Sequence, residues 1–255
     1  RFVNQGAVMG DSFGLENVLW FANNKEDAHE EPTIKRSRSH DYVSREVINV
    51  RENVCLIEVA NFSKHEFKGT DARKFLDHVM AGKLPKPGRI SLSPMLSYRG
   101  KLCGDLTVAC LDENEFMVFG SGAAQEMHRR WFESHLDKFD VNYKNRSDEF
   151  HGISIAGPNS RKVLEKIVRD DVSNEKFKFR DSRRMFVGGV PAIINRISFT
   201  GELGYEIYVA PHYQIKLYEE LMEAGKEFNI KPFGGRALMS MRLEKNWGAW
   251  TLDYR

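Results

Sequence analysis

Apolar and polar positions alternate along two strings that echo each other 101 residues apart, SYRGKLCGDLTV at 97–108 and SFTGELGYEIYV at 198–209. Aligned without a gap, both run Ser, aromatic, any residue, Gly, charged, Leu, two further residues, acidic, branched aliphatic, any residue, Val. Each string predicts a β-hairpin, with a tight turn at Arg99-Gly100 or Thr200-Gly201 followed by a strand of period two. The alternation sets Leu102, Leu106 and Val108 on one face and Lys101, Asp105 and Thr107 on the other. In the second string Leu203, Ile207 and Val209 share a face, opposite Glu202, Glu206 and Tyr208. Each string therefore carries one carboxylate, Asp105 or Glu206, at the same position. An acid on the polar face of a strand is ordinarily only solvated. These two stand out because their register is kept while their neighbours change.

A second echo is helical. FKGTDARKFLDHVM from Phe67 matches IAGPNSRKVLEKIV from Ile155, with Gly69 on Gly157, Asp71 on Asn159, Arg73-Lys74 on Arg161-Lys162 and Leu76 on Leu164. Asp71 and Asn159 suit helix N-caps, and the Arg-Lys pairs read as a solvated helix face. Strands are expected at 54–59 and 115–119, and helices at 123–136, 213–228 and 235–247. The chain divides accordingly into a connector at 1–42 docked by Leu19, Trp20 and Phe21, a first unit at 43–150 and a second at 151–255. Each unit reads strand, helix, hairpin, helix, an α+β pattern with antiparallel pairs given twice. We expect the pseudo-equivalent hairpins to meet across one central cavity, presenting an acid each.

Composition narrows the function classes. A net charge of +2 and no Lys/Arg run beyond Lys35-Arg36-Ser37-Arg38 argue against nucleic acid. No apolar stretch approaches the roughly 18 residues that a membrane helix needs, and no signal peptide opens the chain. The three cysteines, Cys55, Cys103 and Cys110, are sparse and odd in number, which suggests reduced thiols in a reducing compartment. No CxxC or His cluster points to a metal. Gly120-Ser-Gly-Ala-Ala-Gln125 follows a strand and opens a helix, but its sixth position and the surrounding hairpins do not fit a dinucleotide fingerprint.

Four motifs in order, GDSFGLENVLWFA from Gly10, LPKPGRISLSPMLSYRGKLCGDLTV from Leu84, TGELGYEIYV from Thr200 and MRLEKNWGAW from Met241, carry a family likeness. The chain resembles the folate-binding aminomethyltransferase family of the glycine-cleavage T-proteins. Within it, the likeness is strongest to the carboxy-terminal half of dimethylglycine and sarcosine dehydrogenase-like FAD-dependent oxidoreductases. The resemblance implies the aminomethyltransferase fold around a central folate pocket, without the last β-rich subdomain and without the flavin half. It implies tetrahydrofolate as cofactor, with FAD only in the flavin half. It also implies that Asp105 lies near the folate nitrogens, that Glu206 holds the pterin and that Arg242 lies near the folate tail. This chain has Leu92 where T-proteins carry an aromatic, and Tyr98 is a candidate substitute contact.

The implied activity is one-carbon transfer. The module would capture formaldehyde or an iminium from a small N-methyl amine as 5,10-methylenetetrahydrofolate, beside a flavin-dependent oxidoreductase half, in the bacterial cytoplasm or mitochondrial matrix. Glu206 would accept two hydrogen bonds from the amino-pyrimidine edge. Arg242 would suit the tail carboxylates. Asp105 would stabilise the cationic one-carbon species. Two alternatives stay open: a non-catalytic regulatory or scaffold module of the same fold, like the regulatory subunit of pyruvate dehydrogenase phosphatase, and a folate-dependent S-methyl demethylase.

Overall fold

The computed structural model describes residues 1–255 apart from Phe13, Thr251 and Arg255. The chain opens with a hairpin, β1 (Ala7–Ser12) and β2 (Leu15–Phe21). Trp20 at its end is fully buried, packs on Tyr42 at 4.9 Å between ring centroids and donates to Glu30 Oε1 at 2.5 Å. The segment is a paired ribbon anchored by this buried ring. Helix α1 (Ser39–Glu52) follows and runs across position 42. Its buried Glu46 accepts Phe21 N–H at 2.7 Å on one oxygen and Gly234 N–H at 2.9 Å on the other. One carboxylate therefore joins the ribbon, α1 and the start of the last helix.

The elements that follow are β3 (Cys55–Glu58), β4 (Ser63–Lys68), α2 (Ala72–Val79), β5 (Arg89–Leu96), β6 (Leu102–Asp112), β7 (Glu115–Gly120), α3 (Gln125–Glu133) and β8 (Asn142–Asn145). Then come β9 (His151–Ala156), α4 (Ser160–Ile167), β10 (Ser182–Val187), β11 (Val190–Asn195), β12 (Gly204–Val209), α5 (Gln214–Ala224), β13 (Lys231–Pro232) and α6 (Gly235–Glu244). Two sheets result, ordered β5-β6-β7-β4-β8 and β10-β11-β12-β9-β3-β13. Laid over each other, these orders pair β4 with β9, β5 with β10, β6 with β11 and β7 with β12. The duplication is real, and β3 crosses from the first part of the chain to pair with β9.

The helical echo marks this duplication. Gly69 and Gly157 occupy the equivalent strand-to-helix turn at φ 141° and 131°. A Cβ there would meet Asp140 O at 2.4 Å or Asn53 O at 2.5 Å, so no other residue fits. Asp71 and Asn159 stand at the N-cap positions but make no side-chain capping bond. Asp71 instead accepts Asp140 N–H at 3.1 Å. The arginines are not simply solvated either: Arg73 donates to Pro85 O and Arg161 to Val172 O, each tying its helix to the loop beyond it.

The 101-residue echo marks something else. The first string spans the β5–β6 turn, closed by Gly100 N–H on Ser97 O at 2.8 Å. The second has no tight turn at Thr200-Gly201. It spans the longer loop between β11 and β12, where Ser198 and Thr200 bond to each other at 2.7 Å and Lys245 Nζ donates to Ser198 O at 2.9 Å. Hence β6 and β12 hold different places in their sheets. The strings agree because both need a left-handed glycine (Gly100 φ 70°, Gly201 φ 87°) before an alternating strand.

Alternation then builds the layers. Leu106, Val108 and Cys110 of β6 turn outward under α2 and α3, against Phe75, Leu76 and Phe132. Tyr205, Ile207 and Val209 of β12 turn outward under α4 and α5, against Val163, Leu164, Leu217 and Leu221. The inner faces meet in a third cluster of Ile90, Ala109, Met117 and Phe119 with Ile193 and Tyr208. Phe119 and Tyr208 stack at 4.4 Å and 26°. Along the edge, Ile90 N–H bonds Arg180 O and Ser182 N–H bonds Gly88 O, both at 2.9 Å, and Arg89 pairs with Asp181.

Removing the Phe119 ring should leave a cavity between the sheets. Phe119→Ala is expected to cost about 3–4 kcal/mol in urea unfolding, whereas Phe186→Ala, at a side chain 61% exposed, should change stability by less than ~0.5 kcal/mol.

Candidate functional site

Glu206 and Tyr208 sit on the same inward face of β12, because successive side chains of a strand point to opposite faces. Tyr208 is taken up by the stack on Phe119, and its hydroxyl donates to Glu206 Oε2 at 2.8 Å. Strand register sets Glu206 in a cross-sheet row of polar side chains: Ser182 faces Asn195, Asn195 faces Glu206 and Glu206 faces Ser154. One step further along the strands, Gly204 faces Ala156 and Ala156 faces Cys55. That end of the inner face is roofed by α1 and α6 through Val50, Ala237 and Met241. The polar row therefore lies between two apolar covers, the five-stranded sheet on one side and α6 on the other. Glu206 keeps partial solvent access at this depth, as a group on the floor of a recess does.

The recess shapes the electrostatics. Burial pushes the Glu206 carboxyl up to about 7, and the Tyr208 hydroxyl pulls in the other direction. Tyr208 itself is raised well above the usual phenol range by burial and by the adjacent carboxylate. Within the described fold only Tyr208 bonds the Glu206 side chain, so its Oε1 is free to accept from a ligand.

Asp105 lies on the inward face of β6, with Thr107 and the buried Ala109. Thr107 is paired with Phe119 across β6 and β7, so Asp105 is one same-face step, about 7 Å along the strand, beyond the neighbour of Phe119. The segment after α6 reaches this place: Trp250 Nε1 donates to Leu102 O at 3.2 Å. Burial raises the Asp105 carboxyl, opposed by its own backbone amide and that of Trp250. Both acids thus lie on facing sheet surfaces, displaced from the Phe119–Tyr208 stack toward the α6 side. They arrive there from non-equivalent strands, and not from pseudo-equivalent hairpins.

The other two expected residues are elsewhere. Arg242 is 5% exposed and its guanidinium turns to the chain end, donating to Trp247 O at 2.7 Å and pairing with Asp253 at 2.5 Å. It holds the segment that carries Trp250 against β6. Tyr98 is 86% exposed, bonds His135 Nε2 at 2.7 Å and packs on Trp131. That cluster belongs to the α3 side of the sheet, opposite the face of Asp105. A cleft of about 690 Å³ elsewhere, lined by Phe21, Tyr42, Arg45, Asn49 and Asn229, contains none of the four. Tyr208 is the residue whose role the sequence left unassigned although its signal was legible, two positions from Glu206 on the same face. Asn195 and Ser154 carried no signal, because cross-strand register alone brings them to Glu206.

Among the described residues no group of three His, Cys, Asp or Glu side chains could hold a metal, and no helix is long and apolar enough to cross a membrane. Cys55, Cys103 and Cys110 are free thiols. Gly120 ends a strand with antiparallel neighbours, which is not the parallel setting of a dinucleotide loop.

The comparisons with known proteins agree with this architecture. The model of the GCVT N-terminal domain matches residues 1–255. Human mitochondrial dimethylglycine dehydrogenase is 36% identical over 248 residues, which cover 96% of this chain and 28% of that protein. Sarcosine oxidase subunit alpha of Rhizobium meliloti (strain 1021) is 34% identical over 240 residues, covering 91% of this chain and 24% of that subunit. The chain thus spans about a quarter of the length of these curated relatives. The crystal structure of the glycine cleavage system aminomethyltransferase T from Bartonella henselae superposes with a TM-score of 0.80 at 20% identity, covering 96% of this chain and 61% of that one. With the duplicated sheets and the family match together, the chain belongs to the GCVT N-terminal domain family and is an aminomethyltransferase-type domain related to dimethylglycine dehydrogenase and sarcosine oxidase.

Proposed function

We propose that the recess binds the pterin of tetrahydrofolate and that the domain transfers a one-carbon unit to it, forming 5,10-methylenetetrahydrofolate from formaldehyde with loss of water or from an amine-derived iminium with loss of the amine. The observation that carries this is Glu206, a carboxylate on the recess floor with one oxygen held by Tyr208 and the other open. An ionised carboxylate in that setting suits a ligand edge with two adjacent N–H donors, which an amino-pyrimidine has. Bound there, the reduced pterin supplies the nucleophilic nitrogens that take up the one-carbon unit. Asp105 stabilises the positive charge that develops beside it, and the low dielectric around its half-buried carboxylate strengthens that effect. Tyr208 acts by orienting Glu206. Arg242 acts by holding the Trp250 segment over β6 rather than by touching the folate tail, and Tyr98 stays outside the site.

The names of the longer relatives suggest where the one-carbon unit comes from. In this proposal it is released by a flavin-dependent oxidation of dimethylglycine, sarcosine or a similar N-methyl amine in an adjoining region or subunit. The free thiols and the mitochondrial relatives fit the mitochondrial matrix or a bacterial cytoplasm.

Titration with tetrahydrofolate by calorimetry tests the assignment. Glu206→Ala should weaken binding by about 100-fold. Asp105→Asn should bind near-normally and lose formaldehyde capture. Unchanged affinity in Glu206→Ala would refute the pterin site.

The acid–base behaviour of Glu206 gives two more outcomes. Binding needs the carboxylate, so affinity should rise as the pH climbs to about 7 and level off above it, and Glu206→Gln should abolish the dependence. Stability should move the opposite way. A folded pKa above the unfolded 4.5 means that the linked stability is fully present below pH 4.5 and is lost as pH rises through about 7. In urea melts the Glu206→Gln variant should gain ~2 kcal/mol relative to the wild type between pH 5 and 8.

A further inference from the structure

The polar row beside Glu206 contains a group that neither the fold nor the proposed chemistry uses. Asn195 is fully buried on β11 and is the direct cross-strand partner of Glu206. It faces inward, since its neighbour Ile194 turns outward into the α4–α5 core and Ile193 turns inward against Tyr208. Its Oδ1 accepts the hydroxyl of Ser182 at 2.7 Å, and Ser182 is itself buried. The amide plane is thereby fixed. Its Nδ2 is buried without a hydrogen-bond partner among the described residues. A buried amide with unmade donors is costly, and a ligand atom that accepts from it would complete it.

Directly opposed side chains in an antiparallel pair have Cβ atoms about 5 Å apart. The Asn195 amide and the Glu206 carboxylate therefore stand next to each other in the polar row, Asn195 fully buried and Glu206 partly exposed. Together they present acceptor and donor groups along one line. A 2-amino-4-oxo-pyrimidine has the complementary edge: an exocyclic amine and a ring N–H, which donate, followed by a carbonyl oxygen, which accepts. We infer that Asn195 is a second recognition group, donating from Nδ2 to the 4-carbonyl of the heterocycle whose amino edge Glu206 accepts, so that the site selects 4-oxo over 4-amino pteridines. This rests on the pterin assignment to Glu206. Selection follows from the chemistry of the pair. A 4-amino group would turn a donor toward the Asn195 donors and leave both unpaired in a buried site, which is the strongest form of discrimination available to a binding pocket.

The test measures calorimetric affinity for two ligands, tetrahydrofolate and its 4-amino analogue tetrahydroaminopterin, with wild type, Asn195→Ala, Asn195→Asp and Glu206→Ala. Folding is checked for each variant by circular dichroism, and Asn195→Ser replaces any that fails. The wild type should favour the 4-oxo ligand by about tenfold or more. Asn195→Ala should bring the ratio toward one chiefly by weakening the 4-oxo ligand, and Asn195→Asp should reverse it, because its carboxylate accepts from the 4-amino group. A ratio unchanged in both Asn195 variants, with Glu206→Ala still weakening both ligands, would overturn the inference and leave the pterin assignment standing. Equal affinities of the two ligands for the wild type would overturn it likewise. Absence of binding by either ligand to the wild type would remove both together.

Discussion

The contact between the two sheets, centred on the stack of Phe119 and Tyr208, is the interaction on which the rest of the molecule depends. Each sheet already has helices over its outer face, so its remaining apolar surface can be buried only against the other sheet or under α1 and α6. The intersheet cluster is small, built from Ile90, Ala109, Met117, Phe119, Ile193 and Tyr208 with Val59. Aromatic stacking adds to its area burial, because an offset pair gains from ring quadrupoles as well as from leaving water. A cluster of this size covers only part of each inner face. Where it stops, the β9–β12 face turns polar, and there the recess begins.

Tyr208 joins the two parts. Its ring belongs to the apolar cluster and its hydroxyl to the polar row. A buried phenol needs a partner for its O–H, and Glu206 supplies one. In return the ring, locked by Phe119, fixes one oxygen of the carboxylate. The cost is a carboxyl held near neutrality in a place where its charge is poorly solvated. A structural ion pair would have offset this; such pairs stand elsewhere in the chain, Arg89 with Asp181 and Arg51 with Glu202. Among the described residues Glu206 has no such cation, and perturbed groups of this kind cluster where ligands bind.

The covers over the recess are held by charges that the fold satisfies internally. Glu46 ties the amino-terminal ribbon and the start of α6 to α1 through two backbone amides. Arg242 ties the end of α6 to the segment carrying Trp250. An arginine on a helix close to a candidate ligand site suggests an anion receptor. Here its charge is committed to Asp253, and its effect on the site runs through the chain segment that it positions.

Much was legible in local pattern. The period-two alternation of 102–108 and 203–209 placed Asp105 and Glu206 on polar faces, and both faces turned out to be inward. The Gly69 and Gly157 echo located the duplicated strand-to-helix turns, because a turn that excludes Cβ leaves its mark on a single residue. Helices at 123–136, 213–228 and 235–247 appear within a few residues as α3, α5 and α6. Local pattern could not tell that the 101-residue echo joins strands of different rank, since similar strings arise wherever a left-handed glycine precedes an alternating strand. Nor could it show α1, whose apolar positions are too mixed to set a period, or that Arg242 and Tyr98 turn away. Register between distant strands decided that Asn195 and Ser154 flank Glu206, and packing between sheets decided that the row is a floor rather than a surface. The sequence by itself determined which face of each strand is polar, because that depends on residues two apart; only the tertiary structure decided which polar faces are enclosed, because enclosure depends on surfaces contributed by chain segments about a hundred residues away.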